Sequence, residues 1–420
     1  MKRSTKTLRL AAVASAGALV LAACGGGGDE GGDTGGEAAA KGDGTLTVGT
    51  LLPSTGDLAF LGPPEFAGVD LAVNDMNEAG GVLGQDVPKA TRADSGDGTP
   101  KIAPGSVDKL LGADVDTIIG AASSSVSLSV IDKIINAGVV HFSPANTSTA
   151  FDTYDDKGMY FRTAPSDVLQ GNVLGNLVLQ DGAKSVAILA RQEAYGEALA
   201  DNTEKTIKDQ GGEVSAKVLY SVDATSYTSE VQKIKDAKPD AIVLISFNEA
   251  TKIIPEFESA GIGPKDVQTY FVDGNTADYS KDFPKGTLEG VKATFPGAEL
   301  TGDFRNRLLE VDPKLKDFTY GPESYDATIM SGLAAEAAKS DSGEAISSEL
   351  INISRDGEKC STFADCVKLI KDGTDIDYEG VSGPVDLNDT GSPSKATIGI
   401  FEFQNNNNYK NTDYITGVVE

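Results

Sequence analysis

The chain has 420 residues, with 36 basic, 63 acidic and one histidine, three cysteines and a formal charge of −27. So acidic a surface argues against nucleic acid and anionic lipid headgroups as partners held by charge. A single histidine argues against a transition-metal centre, and the length leaves room for two domains.

The N-terminus carries Lys2, Arg3, Lys6 and Arg9, then an apolar stretch from Leu10 to Val20, and ends in Leu21-Ala22-Ala23-Cys24. A basic head, a short apolar body and small residues before a cut describe a secretory signal. The body falls short of the roughly 20 residues that cross a bilayer. Ending in Cys, the segment resembles the lipobox of bacterial lipoproteins. That implies a signal peptide over 1–23, lipid on Cys24, and a protein working outside the cytoplasm while anchored to a membrane. An ordinary signal peptide with a chance Cys is the alternative. Residues 24–44 read as the lipidated Cys and a Gly-rich tether, which spans roughly 25 Å as a random coil. Loss of the leader removes four basic residues and no acidic ones, leaving −31.

From Thr45 onward two kinds of segment alternate. The apolar runs 46–52, 117–120, 139–142, 185–189, 241–245 and 269–272 predict strands, and the spacing predicts helices over 64–79, 196–210 and 249–260. In 64–79, Phe66, Val69, Val73 and Met76 share a face, and Gly80-Gly81 is a helix stop. Continuous apolar strands between amphipathic helices imply parallel sheet buried on both faces, an α/β fold. Pro88, Pro100 and Pro104 restrict any strand within 85–105 to a short or edge one. Helical patterns follow over 301–339, 344–353 and 363–371. The run 397–403 predicts a final strand, and 405–408 a polar turn or loop.

Cys360 and Cys366, in an oxidising compartment, read as a disulfide, with two buried thiols as the alternative. His141 lies in an apolar run with no Gly-x-Ser-x-Gly in the chain, so it reads as a packed histidine rather than a base. Neither a phosphate loop nor a His-Glu-x-x-His motif occurs, so no catalytic, cofactor or metal site is expected. Asp386, Asn388 and Asp389 lack the Glu that would close a calcium loop and read as a turn. Asp94 and Asp97, beside glycines, read as loop.

Ligands of open parallel sheets bind beyond the carboxyl ends of the strands, where helix N-termini present N–H groups. The loops 120–125 and 143–148, rich in Ser, Thr and Ala, are therefore either an anion site or plain N-caps. Asp273, after the strand 269–272, is either a partner for a ligand ammonium or a turn former. Tyr195 and Phe247 follow two other strands and either cover a ligand or simply pack.

Three stretches carry a family resemblance: 68–77 with Gly80-Gly81-Val82-Leu83-Gly84, then Ser143-Pro144-Ala145-Asn146-Thr147, and Phe161-Arg162-Thr163-Ala164-Pro165-Ser166-Asp167 with Gln170-Gly171. From about Thr45 to the C-terminus the chain resembles the type I extracytoplasmic solute-binding proteins of ABC importers, in the leucine/isoleucine/valine-binding branch. The resemblance implies two doubly wound parallel-sheet lobes joined by a three-strand hinge: 45–162 plus 296–384, and 163–295 plus 385–420. It implies a monomeric receptor, not an enzyme, without a cofactor, that hands a free, branched-chain or other aliphatic amino acid to an ABC permease. Position by position it implies Ser124, Ala145 and Thr147 for the ligand carboxylate, the last two also for the ammonium. Asp273 falls against the ammonium, and Tyr195 and Phe247 cover the ligand. Leu61 stands where family members often carry an aromatic. That keeps the wall apolar but alters its shape, so which amino acid is preferred stays open; a small amide or aromatic acid is the alternative ligand. Sensing for a membrane signalling partner is the alternative role.

Overall fold

A computed structural model describes residues 42–98 and 101–419. The signal peptide, Cys24 and nearly all of the tether lie outside the described residues. In the first sheet are β1 (Val48–Leu52), β2 (Thr91–Asp94), β3 (Thr117–Gly120), β4 (Val140–Ser143) and β5 (Tyr160–Arg162). They run parallel in the order β2-β1-β3-β4-β5. The second sheet starts with β6 (Ser185–Arg191), β7 (Glu213–Tyr220), β8 (Ala241–Ile245), β9 (Gln268–Phe271) and β10 (Lys292–Pro296). A separate pair, β11 (Glu358–Cys360) and β12 (Ile376–Tyr378), intervenes before β13 (Lys395–Phe403) and β14 (Tyr409–Val418) complete the second sheet. Its order is β14-β13-β10-β9-β8-β6-β7, parallel through β10 and antiparallel from β10 to β14.

Each predicted strand lies in one of these sheets. β8 is buried at every residue, as expected where helices cover both faces of a parallel sheet. The Pro-rich region yields only β2, four residues long and at an edge. One expectation fails: 397–403 is not the last strand, because the chain turns at 404–408 and returns as β14. Lys410, Asn411, Thr412 and Asp413 are exposed on this antiparallel edge, so β14 lacks the apolar run that marks its neighbours.

The helix Gly62–Glu78 opens with prolines at its first positions, where a missing N–H costs nothing. Val69, Val73 and Met76 are buried against the helix Gly321–Ala338, itself buried along nearly its whole length. A Cβ on Gly68 would sit 2.1 Å from the Gly321 carbonyl oxygen, so only glycine lets the two backbones approach this closely. Cys360 and Cys366 are joined as a disulfide with their Cα atoms 5.3 Å apart, tying β11 to the helix Phe363–Lys371. Backbone passes between the two sheets at 163–166, 297–301 and 385–394, giving two α/β lobes connected by three strands of chain.

Candidate functional site

Loops beyond the carboxyl ends of β1, β3 and β4 in the first lobe face loops beyond β6, β8 and β9 in the second. Between them lies a cavity of about 20 Å³ whose wall includes Leu61, Ser124, Ala145, Tyr195, Phe247 and Asp273. These six side chains are all buried, and Leu58, Leu61, Ala122 and Ala145 form one apolar cluster with Tyr195 and Phe247 across the gap. The lobes are closed on each other. Thr147, the seventh candidate, is not in the wall. It is buried behind it, close enough to the Asp167 carboxyl to oppose part of that group's upward shift, although its Oγ1 makes no hydrogen bond of good geometry.

Asp273 is the focus of the polar wall. Its Oδ1 accepts from the Tyr195 hydroxyl at 2.6 Å and from Gln170 Nε2 at 3.0 Å, and its Oδ2 from the Tyr320 hydroxyl at 2.8 Å. Burial raises its carboxyl above the usual range, and these neutral donors oppose the rise. Asp167, wholly buried at the start of the helix Asp167–Gln180, is raised well above that range by burial and then by the charge of Asp273. Two carboxyls therefore share one desolvated region, which favours a cation between them.

The opposite wall supplies donors. Ser124 opens the helix Ser124–Ile135, and Ser123, at its N-cap, makes no side-chain cap, so the serines of this loop are not spent on capping. Ser124 Oγ accepts from the Ser148 amide at 3.3 Å, linking the two Ser-rich loops. Asn146 fixes them further by donating to the Ala121 and Ala122 carbonyls at 3.0 and 2.9 Å. Behind them Arg162, fully buried, donates to the Ser148 carbonyl at 2.9 Å and to Ser392 Oγ at 2.8 Å and pairs with Asp152. Across the cleft Ser125 Oγ donates to Glu193 at 2.7 Å and Ser148 Oγ to the Ala194 carbonyl at 2.8 Å. The Phe247 ring stacks on Tyr195 at 5.7 Å and lies 3.6 Å from the Arg191 guanidinium. Arg191 is held in turn by Glu249.

Sequence reasoning missed Leu58 and Tyr320 and gave Asp167 and Gln170 no role. The last two stood inside a quoted motif, and a buried acid one turn from a buried amide was the available signal. Tyr320 gave none: it lies within a stretch read as helical, and it precedes a helix with φ 56°, in left-handed backbone. His141 is away from the cavity, buried, its ring edge-on to Tyr160 at 5.3 Å and its pKa lowered by burial to about 3. Asn388 closes a turn by accepting from the Thr390 amide at 2.9 Å and the Ser392 amide at 3.1 Å, and Asp389 pairs with Arg355. The arrangement offers donors to an anion on one side and carboxylates to a cation on the other.

The family described as Periplasmic binding protein matches residues 45–386. The Leu/Ile/Val-binding protein homolog 2 of Brucella abortus is 28% identical over 304 residues, covering 70% of this chain and 79% of its own. The chemotactic signal transduction system substrate-binding protein BasB of Halobacterium salinarum is 27% identical, covering 81% and 83%. Among solved structures, the branched-chain amino acid transporter substrate binding protein LivJ of Streptococcus pneumoniae, in complex with isoleucine, superposes with a TM-score of 0.72. It is 20% identical and covers 89% of this chain and all of its own. A solute binding protein of an ABC transporter from R. palustris, in complex with benzoate, gives 0.70 at 18% identity, covering 90% and 98%. At such identities the structures speak for the type I fold alone.

Proposed function

The chain belongs to the periplasmic binding protein family, and on that premise we propose that it is an extracytoplasmic receptor for a free aliphatic amino acid. Leucine, isoleucine and valine are the leading candidates. The observation that carries this reading is Asp273: a buried acid in the cleft wall, hydrogen-bonded by the neutral groups of Tyr195, Tyr320 and Gln170, with no cation paired to it among the described residues, and neighboured by Asp167. A ligand ammonium would sit against these acids. Its carboxylate would turn to Ser124, Ala145 and the N-terminus of the helix Ser124–Ile135, with Thr147 supporting that wall from behind. Leu61, Leu58, Tyr195 and Phe247 would enclose the side chain.

In this reading the lobes are 45–162 plus 296–384 and 163–295 plus 385–420, and they open and close on their crossovers as a hinge. Cys24 carries the lipid, and the loaded monomer delivers its cargo to an ABC permease without covalent chemistry. The names of the amino-acid-binding relatives support the ligand class. The benzoate-bound neighbour keeps aromatic acids as the competing class, and the chemotactic relative keeps sensing as the competing role. Calorimetry of the purified mature chain against L-leucine, L-isoleucine, L-valine and benzoate tests the assignment. Binding of an amino acid and not of benzoate supports it; binding of benzoate alone overturns it.

A further inference from the structure

A second cavity, of about 320 Å³, shares Tyr320 as a wall with the cleft and also lies between the lobes. The first lobe gives it Arg305, Lys316 and Glu323; the second gives it Phe295, Phe401 and Tyr409. At the mouth Arg305 and Lys316 are exposed, and among the described residues neither forms an ion pair. The Arg305 guanidinium rests on the Phe318 ring at 4.9 Å. Asp317, also in the wall, is already engaged, accepting from the Thr319 amide at 2.8 Å and the Tyr409 hydroxyl at 3.2 Å. The rings of Phe295, Phe401 and Tyr409 pack edge to face in sequence, 5.9 and 5.5 Å apart, and form an aromatic lining. Glu323, 4% exposed, supplies the carboxyl of the inner wall. Burial pushes its pKa up to about 8, so at neutral pH it offers a hydrogen-bonding group rather than a full charge.

We propose that this cavity is a second small-molecule site, taking an aryl carboxylate that carries a hydroxyl or similar polar group at its far end. The carboxylate lies at Arg305 and Lys316, the ring among Phe295, Phe401 and Tyr409, and the polar end on Glu323. The volume falls at the small end of the range for ligand sites, roughly 300–1,000 Å³. A carboxylate suits the two cations Arg305 and Lys316 in one wall, and an aromatic ring suits the lining. The site reuses only one residue of the cleft wall, Tyr320, so the two ligands do not compete for space, but its walls come from both lobes and are complete only when the lobes are closed.

The test titrates 4-hydroxyphenylacetate into the mature chain, with and without saturating L-leucine, by calorimetry. The expected result is one probe per chain in both conditions, bound at least as tightly when leucine holds the lobes closed. Affinity should fall at least about tenfold in the double variant Arg305→Glu/Lys316→Glu and in Ala298→Phe, which fills the cavity from a half-buried position. Tyramine, the amine of matching shape, should bind at least about tenfold more weakly than the acid. Competition between probe and leucine would put the probe in the cleft and overturn the proposal. So would an affinity that neither variant changes, equal binding of tyramine, or no heat at about 10 mM probe. If leucine itself fails to bind, the amino-acid reading falls, while the two variants still decide the fate of this site.

Discussion

Tyr320 and Asp273 come from opposite lobes and meet through a 2.8 Å hydrogen bond at the cleft wall. Tyr320 reaches this position from left-handed backbone, with φ 56°, a conformation unusual for a bulky residue. The bond is part of both the closed form and the proposed ammonium site. Tyr320→Phe keeps the ring and removes the donor. A hydrogen bond to a charged group is worth about 1.5–3 kcal/mol, so calorimetry should find leucine bound about 10- to 100-fold more weakly. An unchanged dissociation constant would place the hydroxyl outside the recognition of ligand.

Asp273→Ala should be more severe. Removing one member of a desolvated charge pair costs about 3–5 kcal/mol, so the affinity for leucine should fall by at least about a hundredfold. Ser124→Ala, which removes only a hydroxyl, should cost about 1–3 kcal/mol. Near-normal binding by the Asp273 variant would take this acid out of the site. If the two variants are ranked the other way, the carboxylate end dominates recognition.

The residues of this wall differ in how well the sequence foretold them. Asp273 follows a continuous apolar run, and a parallel strand ending in Asp-Gly-Asn points its acid at the ligand edge of the sheet. The loops 120–125 and 143–148 were legible for the same reason, since loops after buried strands converge by topology, while Ser124 and Ala145 within them were singled out by the family resemblance. Tyr320 was not legible, because it enters on a segment whose pattern is helical and whose place depends on a chain crossover. β14 escaped for a different reason, since an edge strand with polar residues facing solvent has no apolar run to detect. Gly68 shows the reverse case. Its motif was visible in the sequence, but its cause, contact with the Gly321 carbonyl, exists only in the packed helix pair.

Ligand affinity should depend on pH through the cleft acids. Asp273 and Asp167 both have raised pKa values, chiefly from burial. An arriving ammonium favours their ionised forms, so binding releases protons wherever they were held. Leucine affinity is therefore expected to climb as pH rises from about 4, the ordinary carboxylate range, towards neutrality. Titrations in buffers of different ionisation heat will count the protons released. Flat affinity over that interval, with no proton release, would mean that no buried acid faces the ligand.

A second pH effect concerns folding and arises far from the cleft. Asp116 is half-buried, accepts from the Thr47 amide at 2.7 Å, and has its pKa pushed up to about 7. Burial is the main cause, and Asp341, Asp43 and Asp114 add like charge, while the Thr47 bond works against them. The folded chain thus keeps a proton that the unfolded chain, at an ordinary carboxylate value near 3.8, has already lost. Stability from this site is then full below the unfolded value and drains away as pH rises to about 7. Asp116→Asn removes the charge and leaves an oxygen to accept from Thr47. Thermal unfolding followed by circular dichroism should show the variant melting about 1–3 °C above the parent chain at pH 8. At pH 4.5 the gap should close or reverse, because the parent acid is then protonated in its folded form. A variant less stable than the parent at both values would show that the Thr47 hydrogen bond, and not the buried charge, governs this corner of the first lobe.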